Sequence, residues 1–176
     1  MEIITKEHWL GFNSDDDEVC DWAEKSSREN FKIYAERLEK LRPRLKERNH
    51  EFFKNGLHDG RLISFSIGDG LHLDFERDES PKINDFYRTS VLIKVLNAEF
   101  NTIYSLKYEK VSKAVFDFPT DSPLWGSNID DWGYDEISEV DEKTLRHEVL
   151  FSSGTVILIE FGKFSFTKKR YKASRY

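Results

Sequence analysis

Cysteine is nearly absent from this sequence, since Cys20 is the only one among 176 residues. An intrachain disulfide and a zinc site of four thiolates are therefore excluded, and this scarcity is typical of a reducing compartment. Acidic residues surround the thiol in sequence, and their charge disfavours the thiolate that acts as a nucleophile. We therefore expect no catalytic cysteine.

Long apolar runs are also missing. Residues 1–7 hold no apolar stretch of signal-peptide length, and nowhere do about 18 apolar residues follow one another. The sequence therefore predicts a cytoplasmic protein with no membrane partner.

Common enzyme motifs and an excess of positive charge are absent as well. The chain has no Gly-x-Ser-x-Gly elbow, no phosphate loop, no Gly-x-Gly-x-x-Gly fingerprint and no His-Glu-x-x-His motif. Its 27 Lys and Arg stand against 33 Asp and Glu, a formal net charge of −6. A negative chain repels polyanions, so nucleic acid is disfavoured as a partner.

Hydrophobic residues make up only 38% of the chain, but aromatic residues supply 14%. Because aromatic rings bury large apolar areas, one packed core is still expected. The length favours a single domain over residues 1–176, with a helical segment at about 15–55 and an antiparallel β segment at about 61–168.

Apolar residues recur at helical spacing in the first third of the chain. They are Phe31, Tyr34, Ala35, Leu38, Leu41 and Leu45, which form one stripe on a helix. Residues 13–18 supply a cap and acids for a helix start. Pro43 lacks an N–H group and interrupts this pattern, so we predict a second helix from about Pro43 to a stop at Gly56.

After Gly56 the apolar period changes to two, which is the period of a β-strand. Strand-like runs lie at 63–67, 71–76, 91–96, 103–108, 111–118, 145–151, 156–161 and 164–166. The first two runs predict a hairpin. The sequence therefore predicts an α+β fold, with two N-terminal helices packed on a large curved antiparallel sheet of about seven or eight strands.

Residues 119–133 show no regular periodicity and carry Trp125 and Trp132. Tryptophans in such a loop are typical either of interface anchors or of a lid over one sheet face, and the lid is slightly favoured because Trp is usually buried. The adjoining residues 130–142 hold seven acids and no Lys or Arg. A basic protein would be attracted there, although a solvated turn and strand is the favoured interpretation of these residues taken alone. The predicted docking residues are Trp125, Asp130, Asp131, Trp132, Tyr134, Asp135 and Glu136.

Histidines suggest an alternative, a metal site with nitrogen and oxygen ligands. The candidate ligands, His58, Asp59, His72 and Asp74, would serve a metal-dependent hydrolase. This alternative is disfavoured, because alternating polar residues on a strand are the ordinary composition of a solvated face. His147 lies in register with apolar neighbours and is predicted to be a hydrogen-bonded residue of the partly buried core.

The last fourteen residues, 163–176, hold six Lys or Arg and no acid. Together with Tyr171 and Tyr176 they form a candidate nucleic-acid strip, beginning near Lys168. A frayed, solubilising terminus is the favoured interpretation.

Three segments carry a resemblance: Leu57-His58-Asp59-Gly60-Arg61, residues 132–137 and residues 149–161. They resemble an uncharacterised family of small bacterial proteins, chiefly from Bacillus-like Firmicutes, over about residues 31–166. Related small acidic α+β proteins are suspected of being immunity proteins that neutralise toxins, so the resemblance implies a binding role and no catalytic residue. We therefore expect a non-enzymatic binding protein without a cofactor, an immunity protein for a basic toxin domain.

Overall fold

Three α-helices precede six β-strands in the computed structural model, which describes residues 1–68, 89–118 and 129–170. The helices are α1 (Lys6–Phe12), α2 (Asp17–Leu41) and α3 (Glu47–Asn55), with a 3-10 turn at Arg42–Arg44. The strands are β1 (Gly60–Gly68), β2 (Ser90–Leu96), β3 (Thr102–Asp117), β4 (Asp131–Glu139), β5 (Leu145–Phe151) and β6 (Val156–Arg170). The predicted α+β class is confirmed.

The strands form a closed antiparallel barrel in the order β1-β2-β3-β6-β5-β4. Closure comes from a short joint between β1 and β4, where Gly60 pairs with Trp132 and Arg61 with Asp131. A closed barrel leaves no unpaired sheet edge along its joined strands. The β segment thereby becomes one continuous sheet.

The predicted count of seven or eight strands is too high for the described residues. Runs 103–108 and 111–118 form the single strand β3, because a register shift between Val111 and Lys113 absorbs the break in pattern. Runs 156–161 and 164–166 likewise form β6, since Lys163 continues the ladder opposite Glu109. The predicted strand at 71–76 lies outside the described residues.

Helix α1 is absent from the sequence-based prediction, and β4 is not among its strand runs, although a solvated turn and strand was one interpretation of residues 130–142. The apolar alternation of β4 is broken by a register shift between Trp132 and Tyr134, so the end of the predicted loop is in fact a strand. Helix α1 is short, and Thr5 caps it by accepting from the N–H of His8. Neither element repeats its apolar residues often enough to show a period.

The helix boundaries follow the predicted caps with one exception. Asp16 caps α2 by accepting from the N–H groups of Glu18 and Val19. Pro43 ends this helix through the 3-10 turn, and α3 begins later than predicted, at Glu47. Gly56, with φ of 64°, terminates α3 as expected.

The core fills the barrel interior and extends beneath the helices. Inward residues of β2, β3 and β6 are fully buried, among them Ile93, Leu106 and Ile159. Phe52 and Phe53 of α3 pack against Phe164, with ring centroids 5.5 and 4.8 Å apart. Helix α2 contacts the barrel through β4. Among the described residues, no helix has the length and apolar character that crossing a membrane requires.

The predicted helical stripe is only partly buried. Leu38 and Leu41 are in the core, and Tyr34 and Leu45 pack against it. Phe31 and Ala35 are exposed. Phe31 is 41% exposed although its ring centroid lies 5.7 Å from that of Tyr134 on β4.

Candidate functional site

Strand β4 carries most of the predicted docking residues and turns two of them into the barrel. Trp132 is fully buried, and its Nε1 donates to Asp135 Oδ1 at 2.9 Å. The second carboxylate oxygen, Oδ2, lies 2.9 Å from Nε2 of His147. Trp132 therefore presents no surface to a partner, and the Asp135 side chain is only 6% exposed.

His147 is fully buried and hydrogen-bonded on both ring nitrogens, as the sequence predicted for a core histidine. Its Nδ1 lies 2.7 Å from the hydroxyl of Tyr108. Burial, and after it the charge of Asp135, raises the pKa of Tyr108, so this hydroxyl keeps its proton. The Asp135 carboxylate accepts from Nε2 of His147, which leaves Nδ1 to accept from the Tyr108 hydroxyl. Nε2 therefore carries the hydrogen that faces Asp135.

Glu136 is held by the N-terminal segment. Its two oxygens accept from the N–H groups of Glu2 at 2.6 Å and Ile3 at 2.9 Å. Burial raises the pKa of Glu136, and the two N–H donors oppose that rise. This carboxylate therefore fastens the segment to β4.

The remaining docking residues that the structure describes are also engaged within the chain. Arg61 Nε lies 2.6 Å from Asp131 Oδ1, and its NH1 lies 3.6 Å from Asp130 Oδ1. The Tyr134 ring packs among Trp9, Phe12, Phe31 and His58 and joins the helices to the barrel. Trp125 lies outside the described residues.

Most acids of residues 130–142 are therefore engaged within the described chain, whereas Glu142 is exposed and forms no ion pair with a described residue. Beyond β4, Glu139 pairs with Arg44 at 2.9 Å, and Asp141 accepts from the N–H groups of Lys143 and Thr144. Counting acids along the chain overestimated the free negative charge of this segment, because Arg61 and Arg44, which pair with Asp130, Asp131 and Glu139, come from distant segments.

The hydrolase alternative keeps two described residues, His58 and Asp59. Both side chains are exposed, and His58 Nε2 lies 3.8 Å from Asp59 Oδ1. His58 Nδ1 lies 2.6 Å from the carbonyl oxygen of Gly133 and donates to it, which leaves Nε2 as the acceptor nitrogen. His72 and Asp74 lie outside the described residues, so a four-ligand site stays a prediction.

The C-terminal strip also stays a prediction. Its described part extends β6, where Lys163 pairs with Glu109 at 2.9 Å and Lys168 lies over the Tyr104 ring at 5.1 Å. Tyr171 and Tyr176 lie outside the described residues.

A cavity of about 210 Å³ opens beside Tyr134, between α2, α3 and β4. It is smaller than the roughly 300–1,000 Å³ of typical small-molecule sites. The acids that line it, Asp135 and Glu136, already hold the protein's own donors. We assign no ligand to it.

A surface that the sequence analysis missed lies on helices α1 and α2. We call it the acidic–apolar face and define it by Leu10, Val19 and Trp22 with the acids Asp15, Asp17, Glu18 and Asp21. Leu10, Val19 and Trp22 are 45%, 41% and 50% exposed. The acids are exposed, and no ion pair joins them to any residue that the structure describes.

Packing holds the indole of Trp22 in place at this face. Its ring stacks on His8 with centroids 5.3 Å apart and planes 11° apart, which leaves the other side open. Val19 and Glu18 lie three and four residues earlier on the same side of α2. The signal in the sequence is a tryptophan three residues after a valine among acids, whereas the sequence-based prediction used only residues 13–18 of this stretch, as a helix start.

Comparisons with known proteins identify no relative. No protein-family model, no curated protein and no solved structure matches the chain.

Proposed function

We propose that this protein is a non-enzymatic cytoplasmic binding protein that blocks a basic protein domain, as an immunity protein blocks a toxin. The observation that carries the proposal is the acidic–apolar face, where a half-exposed tryptophan stands among acids that have no ion-pair partner in the described chain. The resemblance to small bacterial proteins supports the same role.

The face has the composition of an interface centre with an acidic surround. Tryptophan is enriched among the residues that dominate binding energy, and Leu10 and Val19 extend its apolar area. The stack on His8 holds the indole before binding, so less conformational entropy is lost when a partner covers it. Binding of a partner at this face therefore needs little rearrangement of the chain.

The surrounding charge favours a basic partner. Residues 15–24 hold six acids and no Lys or Arg. Opposite charge raises the rate of encounter and rejects acidic competitors, and the net charge of −6 acts in the same direction at longer range. We therefore propose that electrostatics set the association rate and that Trp22 sets the dissociation rate.

A blocking role also agrees with the chemistry of the interior. Asp135 and His147 form one hydrogen-bonded acid–histidine pair among the described residues, and this pair reaches no substrate because His147 is sealed inside the barrel. A general base must reach the proton that it removes. Blocking a partner needs no such group.

Quantitative affinity capture from the source organism tests this proposal. The baits are the wild-type chain, Trp22→Ala and the double variant Asp17→Lys/Asp21→Lys. Asp130→Lys/Asp131→Lys is the control, at the surface predicted from the sequence. We expect a basic protein to be retained by the wild-type and control baits and to fall at least tenfold on the other two. If no basic protein depends on Trp22, the proposed face is wrong.

With the captured protein purified, association kinetics separate the two contributions. Trp22→Ala should speed dissociation, whereas the Asp17→Lys/Asp21→Lys variant should slow association and flatten its dependence on salt. Association that is insensitive to salt in the wild type would contradict the electrostatic part of the proposal.

A further inference from the structure

Helix α3 places three potential metal ligands on one face. Glu47, His50 and Glu51 are separated by three and four residues, the spacing that brings side chains together on a helix. One ligand atom from each residue can be chosen so that all three lie within 4.8 Å of one another. None of these residues belongs to the acidic–apolar face.

The imidazole of His50 is the second observation at this place. Its side chain is 1% exposed, and neither ring nitrogen has a hydrogen-bond partner among the described residues. Nδ1 lies 3.9 Å from Glu51 Oε1, and Nε2 lies 3.3 Å from Glu39 Oε1. A buried polar group without a hydrogen bond is costly, and this one has a carboxylate beside each nitrogen.

The side chains of Glu47 and Glu51 can move, whereas the imidazole of His50 is fixed by burial. Glu47 and Glu51 are 64% and 52% exposed, so their side chains can move towards an ion while His50 stays fixed. Ligand atoms bound to one zinc ion lie about 2.0–2.2 Å from it, which requires shifts of about 1 Å from the observed spacing. Arg42 now bridges Glu39 and Glu47, and its half-exposed guanidinium can turn into solvent.

We propose that His50, Glu47 and Glu51 bind a divalent transition-metal ion of the Zn²⁺ class. One imidazole nitrogen with carboxylate oxygens suits Zn²⁺ and Mn²⁺ better than Mg²⁺, which prefers oxygen ligands alone. One ring nitrogen of His50 binds the ion. The N–H of the other ring nitrogen donates to the carboxylate that lies beside it, an arrangement common among metal-bound histidines. Three protein ligands leave a further position of the ion open to solvent.

Titration calorimetry on chelator-treated full-length protein tests the site, with Zn²⁺, Mn²⁺ and Mg²⁺ as separate probes. We expect one Zn²⁺ per chain, weaker Mn²⁺ and no measurable Mg²⁺. The double variant Glu47→Gln/Glu51→Gln should weaken Zn²⁺ binding at least tenfold, and His50→Gln should abolish it. Because His50 is buried and its variant can lose stability, the exposed double variant keeps the test decisive.

Two controls assign any bound metal. Glu36→Gln removes an exposed acid of α2 outside the cluster, and His58→Ala removes the exposed histidine of the alternative site. Both should bind Zn²⁺ as the wild type does, with the same metal-dependent rise in Tm. Absence of Zn²⁺ binding, binding unchanged in the double variant, or binding lost only in His58→Ala would each overturn the proposal.

Discussion

At the scale of single residues, the proton on Nε2 of His147 sets the direction of the hydrogen bonds inside the barrel. Tyr108 donates to His147, which donates to Asp135, and Asp135 also accepts from the indole of Trp132. Each polar atom named in this chain has a partner, which is the condition for a buried polar group to be tolerated. The network therefore fixes the orientation of β4 relative to β3 and β5.

Tyr108→Phe should destabilise the protein by about 1–3 kcal/mol, because it leaves Nδ1 of buried His147 without its donor. Chemical unfolding followed by circular dichroism measures this loss. Tyr134→Phe is the matched control. The Tyr134 hydroxyl has no hydrogen bond to any residue that the structure describes, so its removal should change the free energy of unfolding by less than about 0.5 kcal/mol. Equal effects from the two variants would contradict the network.

Sequence alone predicted one member of this network and misassigned another. His147 lies on β5, whose apolar neighbours show the period of two, so its burial could be inferred. Asp135 faces inward because the register shift after Trp132 changes which residues of β4 point into the barrel. A bulge leaves no periodic signal in the sequence. Asp135 was therefore predicted to lie on the surface, although it faces the barrel interior.

At the scale of elements, the acidic–apolar face depends on how closely α1 approaches α2. Gly11 makes this contact, since a Cβ built there would lie 2.6 Å from the Cβ of Ala23. Neither atom can move by rotating a side chain, so any larger residue must push the helices apart. His8, which supports Trp22, lies on the same short helix.

A double-mutant cycle measures this contact. Gly11→Ala should lower the free energy of unfolding although it gains about 1 kcal/mol of helix propensity, because the clash exceeds that gain. Ala23→Gly should recover stability in that background and cost about 1 kcal/mol or more in the wild type. Ala35→Gly, at an exposed position of α2, should cost about 1 kcal/mol in both backgrounds. Simple additivity at Gly11 and Ala23 would show that the helices do not touch there.

Element boundaries were predictable where a local chemical signal sets them. Asp16 and Gly56 mark helix ends through capping and a positive φ, and both could be identified from residue type. Strand ends were less predictable, because Gly162 suggests a turn while β6 continues through it against β3. The length of those two strands is set by their mutual pairing, which is a tertiary property.

At the scale of the whole molecule, closure of the barrel decides which acids remain free. Arg61 reaches Asp131 because β1 joins β4, and Arg44 reaches Glu139 because the helices pack beside the same strand. The net charge could be predicted from composition, but its distribution required the topology. The free negative charge of the described chain thus includes the start of α2, where we propose that a basic partner docks.

The same distribution gives two acids opposite effects on stability as pH changes. Burial raises the pKa of Glu136 above its ordinary value of 4.5, so the folded state holds that proton more tightly than the unfolded state does. Its contribution to stability falls as pH rises from about 4.5 through the raised pKa. The hydrogen bond from Lys163 lowers the pKa of Glu109, whose contribution is present above 4.5 and is lost as pH falls through the lowered pKa.

Glu136→Gln and Glu109→Gln should therefore change the pH profile of unfolding in opposite directions. For Glu136→Gln, we expect the difference in free energy of unfolding, variant minus wild type, to increase from pH 4 to pH 6.5. The altered bonds to Glu2 and Ile3 add a constant offset to this difference. The same difference for Glu109→Gln should decrease between pH 3 and pH 6, and high salt should reduce it because Glu109 is partly exposed. Urea unfolding at half-unit steps of pH measures both curves. Slopes of the same sign would mean that the two carboxylates do not occupy the buried and the lysine-paired environments described above.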